Sequence, residues 1–135
     1  MQHFVWKEEY SVNINLIDKQ HQKLIKIMNE LYDAILTLKA KEKINDIFKQ
    51  LFDYANYHFS TEEKYFEKFN FKYKKSHIRK HNFFKKKLSS LYKKMNENEL
   101  ELSFKLLDFL EDWLIEHLNT EDKKYIQCFK EHGLK

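Results

Sequence analysis

Proline is absent from this chain, and its one glycine, Gly133, stands two residues from the end. Almost the whole length therefore lacks the residue types that most often make hairpins and tight turns. A chain so composed is left with helices joined by short polar loops. Four segments support this, each with an apolar stripe at the i, i+3, i+4, i+7 spacing of a helix that faces a core.

The first is expected over about 18–38, with Asp18 as N-cap and Leu24, Ile25, Met28, Leu31, Tyr32 and Ile35 inward. The second covers about 42–69, with Ile44, Phe48, Leu51 and Ala55 inward, followed on the same stripe by His58 and Glu62. The third, about 74–95, turns His77, His81, Phe84, Leu88, Leu91 and Met95 to one side. The fourth, about 99–129, carries Leu102, Leu106, Leu110, Leu114 and then His117. The connections are too short for anything but antiparallel neighbours, so the fold class is all-α, an up-down-up-down antiparallel four-helix bundle. Residues 1–135 form one domain, with apolar and charged shares (42% and 34%) that suit a globular protein.

Ahead of the first helix, "YSVNINLI" alternates Tyr10, Val12, Ile14 and Leu16 against Ser11, Asn13 and Asn15. That period belongs to an extended chain with one buried side. Residues 1–17 are expected to form an N-terminal arm along the bundle, anchored by Trp6.

The net charge of +4 is concentrated in residues 72–94, which contain no acidic residue. A nucleic-acid partner is not expected: most of these lysines fall off the apolar stripe, and Arg79 is the only residue there with the forked donors that read base edges. No secretory pattern opens the chain and no run approaches a membrane span, so neither export nor membrane insertion is expected. The lone Cys128 suits a reducing compartment. The expectation is a cytoplasmic monomer.

Five of the seven histidines, His21, His58, His77, His81 and His117, lie on inward stripes, whereas His3 and His132 fall near the ends, where exposure is expected. Counting residues from each turn, at about 1.5 Å per residue, brings all five and Glu62 to one depth in the bundle. Residues four apart differ by about 40° around a helix, so His58 with Glu62 and His77 with His81 can each close on one site. His117 and Asp122, five apart, differ by about 140°, so both reach that site only if the last helix loosens or bulges between them.

Each such group left buried without a partner costs on the order of 1–3 kcal/mol, and a carboxylate more. Metal removes the objection. Imidazole nitrogen with carboxylate oxygen suits iron among several first-row metals, and five histidines with two acids exceed the needs of one ion. Two ions are implied. If both are six-coordinate and share the two carboxylates and one solvent oxygen, a single position stays open, the arrangement for a small diatomic ligand such as O2.

These residues resemble the hemerythrin family, the single-domain bacterial hemerythrins most closely. "IDKQHQKL", "HFSTEE", "HIRKH" and "HLNTED" fill the family's H…HxxxE…HxxxH…HxxxxD pattern at His21, His58, Glu62, His77, His81, His117 and Asp122. The resemblance implies two non-heme iron ions, oxo- or hydroxo-bridged. It gives His77, His81 and His117 to one iron, His21 and His58 to the other, and Glu62 and Asp122 to both. It further implies reversible O2 binding on the His21 and His58 side, for storage, delivery or sensing, in a protein that is not an enzyme. Leu114, one turn before His117, is the residue chosen to shield bound O2; Trp113 beside it receives no role.

The alternative is a di-iron redox enzyme acting on peroxide, nitric oxide or iron. Such sites are richer in carboxylate and use Glu-x-x-His pairs, a spacing absent here. A structural zinc site would need only four of the seven ligands.

Overall fold

A computed structural model describes residues 4–95 and 98–134, and for 118–121 the backbone alone. Four long helices form: α1 (Asn15–Leu36), α2 (Ala40–Lys68), α3 (Lys74–Tyr92) and α4 (Glu99–Trp113). Beyond Trp113 the same helix continues with altered winding, as a π-helical stretch over Leu114–Glu121 and a 3-10 turn over Asp122–Tyr125, and ends in α5 (Ile126–Glu131). Helix α1 packs on α2 and α4, and α3 on α2 and α4, which closes an antiparallel bundle. Among the described residues no helix is long and apolar enough to cross a membrane.

The stripes bury as their spacing requires. Of the inward residues named above, all are buried except Tyr32 and Met95, which are half-buried against the main core. A second, smaller core lies beyond the histidine layer and joins Val12, Ile14 and Ile17 to Phe66, Phe71, Tyr125 and Phe129.

The arm differs from the expected extended strand in two respects. It makes a 3-10 turn at Glu8–Tyr10, and α1 starts three residues early, at Asn15. Asp18 is not an N-cap. From the first turn its carboxylate accepts the backbone N–H of Val12 at 2.9 Å and the Ser11 hydroxyl at 2.6 Å, folding the arm's end back onto the helix. Because the helix has begun, Leu16 faces solvent while Ile17 is buried. Trp6 packs half-buried on the core. The arm is further pinned by Asn29, whose side-chain amide accepts from Phe4 N–H at 2.7 Å and donates to Phe4 C=O at 2.9 Å. His132 is exposed; His3 lies outside the described residues.

Two of the turns show how helices end without glycine. After α1, Leu38 adopts a left-handed φ of 59°. Its N–H donates to Ile35 C=O, and that of Lys39 to Ala34 C=O at 2.8 Å. After α2, Asn70 (φ 53°) does the same, with Phe71 N–H reaching Phe66 C=O at 2.9 Å and the two rings stacked. Both are Schellman closures, in which the left-handed position normally belongs to glycine or asparagine.

Candidate metal centre

The seven singled-out side chains come together midway along the bundle, all buried. Helix α1 supplies His21, α2 supplies His58 and Glu62, and α3 supplies His77 and His81. The last helix gives His117 from its π-helical stretch and Asp122 from the turn that follows. The wider π winding lets residues five apart face one point, where a regular helix would hold them about 140° apart.

Ligand-type atoms lie within 4.8 Å of one another in two overlapping groups. One joins Glu62, His77, His81, His117 and Asp122; the other joins His21, His58, Glu62 and Asp122. Both carboxylates are common to the two. Asp122 Oδ1 is 2.7 Å from His77 Nε2 and 2.9 Å from His117 Nε2, and its Oδ2 is 2.9 Å from His21 Nε2. Glu62 Oε1 stands 3.0 Å from His81 Nε2 and 3.3 Å from His58 Nε2.

Several of these contacts are close without being hydrogen bonds. Both Glu62 oxygens, Asp122 Oδ2, His81 Nε2 and His117 Nε2 are fully buried and have no hydrogen-bond partner among the described residues. Lone pairs aimed at common points, rather than at one another, give this pattern. Each orphan costs about 1–3 kcal/mol, and cations at those points would satisfy them together. The residues therefore fit a metal pair, and the nitrogen-rich donor set suits iron.

A surrounding set of contacts fixes the imidazoles. His58 Nδ1 donates to Gln20 Oε1, and the Gln20 amide in turn donates to Thr61 Oγ1 at 3.2 Å. His81 Nδ1 donates to Glu63 Oε2 at 2.8 Å. Such partners set which ring nitrogen is free to bind metal. Aromatic rings add a second clamp: Phe59 stacks on His81 (centroids 4.0 Å apart, planes at 8°) and Trp113 on His117 (3.9 Å, 11°), while Tyr54 stacks less closely on His58. Gln20, Glu63 and Trp113 went unassigned in the sequence, where the only signal is that Gln20 and Glu63 adjoin a ligand-type residue and Trp113 stands four residues before His117. Leu114 is buried where the π winding begins, in the same core cluster as Trp113.

Burial dominates the proton affinities. It lowers the His58 pKa to about 3, against the pull of Glu62, and it lowers that of His117 against Asp122. Burial also works against the charged form of His81, but the neighbouring carboxylates of Glu62 and Glu63 outweigh it and hold that histidine up at about 9. For Glu62, burial and Asp122 favour the neutral acid, yet His58 and His81 keep it ionised. Burial, then the charges of Asp122 and Glu62, push the Tyr54 and Tyr125 phenols far up, so both stay neutral.

A histidine-rich, carboxylate-bridged cluster at mid-depth in an antiparallel helical bundle defines a class, the all-α bundles whose core is arranged for cations. The comparisons narrow it. The family model described as the hemerythrin HHE cation binding domain matches residues 12–129. A bacteriohemerythrin of Clostridium acetobutylicum is 35% identical over 91% of this chain and 98% of its own. A hemerythrin-like protein of Naegleria gruberi is 30% identical over 90% of each. The crystal structure of a hemerythrin with a leucine-to-alanine replacement superposes with a TM-score of 0.82 at 26% identity, covering 95% of this chain and 98% of that one. The chain belongs to the hemerythrin family.

Proposed function

We propose that this protein binds O2 reversibly at a di-iron centre held by His21, His58, Glu62, His77, His81, His117 and Asp122. The observation that carries the reading is the asymmetry of the two overlapping groups. Both share Glu62 and Asp122, but one adds three histidines and the other only two. With equal coordination numbers, the ion beside His21 and His58 is left short of a ligand, and an exogenous molecule would enter there.

When bound, the iron pair supplies the electrons and the open coordination position that O2 requires. The chain's own residues do the rest. Glu62 and Asp122 would be shared by both ions, while Gln20 and Glu63 orient His58 and His81 so that their other ring nitrogens would face the metal. Phe59, Trp113 and Tyr54 wall the imidazoles off from water, and Leu114 shields the bound gas. Nitrogen-rich ligation with one vacancy favours binding over turnover, which suits storage, delivery or local sensing.

The test is metal analysis of purified protein, with the visible spectrum followed through cycles of deoxygenation and air. Two irons per chain with a colour that returns in each cycle is the expected result. Irreversible oxidation with turnover of peroxide, nitric oxide or ferrous iron would assign the redox enzyme instead, and colourless protein holding zinc would exclude both.

A further inference from the structure

The lysines and Arg79 of segment 72–94 lie outside the group of residues that could hold the candidate metals. Lys72, Lys75, Arg79, Lys86, Lys87 and Lys94 are exposed along α3 and its flanks, with no acidic residue between them. Part of this surface borders a cleft of about 800 Å³ between α3 and the last helix. Arg79, Lys87 and Lys94 stand on one wall; the other carries Asp108, Asp112 and Glu116, with Lys105, paired to Glu101, as its one cation. Phe83, Phe109 and Trp113 provide the apolar surface, and His117 itself lines the cleft. Trp113 lies flat against His117. The cleft therefore reaches a ligand-type imidazole at its own wall and through the ring stacked on it.

We propose that the α3 side of this cleft docks an acidic one-electron carrier protein, which returns electrons to the metal site through Trp113 and His117. This rests on the di-iron reading above, in which a pair left ferric by autoxidation must be made ferrous again before it can bind O2. Two reduced carriers each lose one electron, and the two ferric ions each gain one. The charge pattern selects the partner. Duplex nucleic acid and an anionic bilayer carry negative charge along their whole surface and would press it against Asp108, Asp112 and Glu116. A protein's charge is patterned, so its acidic residues can face α3 alone. Lysines also suit a brief encounter, since they steer association without locking a geometry, and redox complexes bury small areas.

The experiment mixes ferric holoprotein with a reduced plant-type [2Fe–2S] ferredoxin, an acidic carrier, and follows loss of the ferric absorbance at low and high salt. Oxidised ferredoxin is separately titrated into the protein by calorimetry. Steering of this kind predicts a second-order rate at least about tenfold lower at high salt. The Lys87→Glu/Lys94→Glu variant should lose rate and calorimetric affinity by a similar factor. Lys19→Glu/Lys23→Glu, on α1, should lose neither, and reduced methyl viologen, a small cation, should not be slowed by the α3 substitutions. Trp113→Phe should slow transfer at unchanged calorimetric affinity. Ferredoxin reduction insensitive to salt and to the α3 substitutions would overturn the proposal, and so would tighter binding of a DNA duplex or anionic vesicles through the same lysines. Calorimetry requires no bound O2, so failure of docking and failure of reversible O2 binding are read separately.

Discussion

Replacing Glu62 by glutamine removes one negative charge and nearly preserves the shape of the side chain. In metal-free protein, Glu62 gains from His81 Nε2 at 3.0 Å and His58 Nε2 at 3.3 Å, but it suffers complete burial and the repulsion of Asp122. The substitution removes both sides of that balance, and His81 keeps Glu63 as a partner. Attraction outweighs desolvation, since Glu62 stays ionised, and breaking such a buried pair costs the metal-free protein about 3 kcal/mol. With iron the outcome differs, because a neutral amide cannot bridge two cations as a carboxylate does. An ion present at a thousand times its dissociation constant adds about 4 kcal/mol to stability, roughly 10–20 °C in melting temperature for a domain of this size. Glu62→Gln should thus melt about 10 °C below wild type without metal and at least about 10 °C further below it after iron loading, with less iron bound by the variant. Scanning calorimetry with and without iron, alongside metal analysis, makes the comparison. Full iron content with unchanged melting would refute the bridging role, and equal destabilisation in both states would show Glu62 to be a packing residue.

Three further outcomes are expected. Metal-free protein should be most stable near pH 6.5. His58, whose folded pKa of about 3 lies below the unfolded value, loses its contribution as pH falls from about 6.5 toward 3. His81, held up at about 9, loses its own as pH rises from about 6.5 toward 9, each at about 1.4 kcal/mol per pH unit, and urea melts at pH 5, 6.5 and 8 should trace the maximum. Leu38→Gly should raise stability by about 1 kcal/mol, because Leu38 is exposed in a left-handed conformation that disfavours side chains; a lower melting temperature would contradict this. Leu114→Ala should cost about 2–5 kcal/mol and hasten autoxidation of the oxygenated protein, and an unchanged autoxidation rate would remove Leu114 as a shield.

The part of the site that the sequence discloses is the part carried by spacing within single helices. His58 with Glu62 and His77 with His81 declare themselves because four residues is nearly one turn. The pair five apart, His117 and Asp122, called for a distortion, and the π-helical stretch supplies it. Contacts that cross between helices were hidden. Whether Gln20 on α1 reaches His58 on α2, or Glu63 on α2 reaches His81 on α3, depends on interhelical distance and rotamer, which no spacing encodes. The start of α1 was misplaced for a related reason. An aspartate ahead of an apolar stripe reads as an N-cap, yet Asp18 serves the preceding loop through Ser11 and Val12. The glycine-free composition disclosed the helices but not how they end, since it did not show that Leu38 would accept a left-handed turn.

The π-helical stretch reaches further down the chain than the pair of residues it accommodates. Everything after it is rotated relative to α4, and at the new phase Tyr125 and Phe129 enter the second core beside Phe66 and Phe71. Deleting one of residues 118–121 would restore ordinary winding and leave His117 and Asp122 about a single turn apart. With all of those residues kept and the winding regular, Tyr125 and Phe129 would instead be turned by about 100°, out of that core. The last helix thus keeps two angular settings, one for the leucines before the bulge and one for the aromatics after it, and the surplus residue is the joint between them.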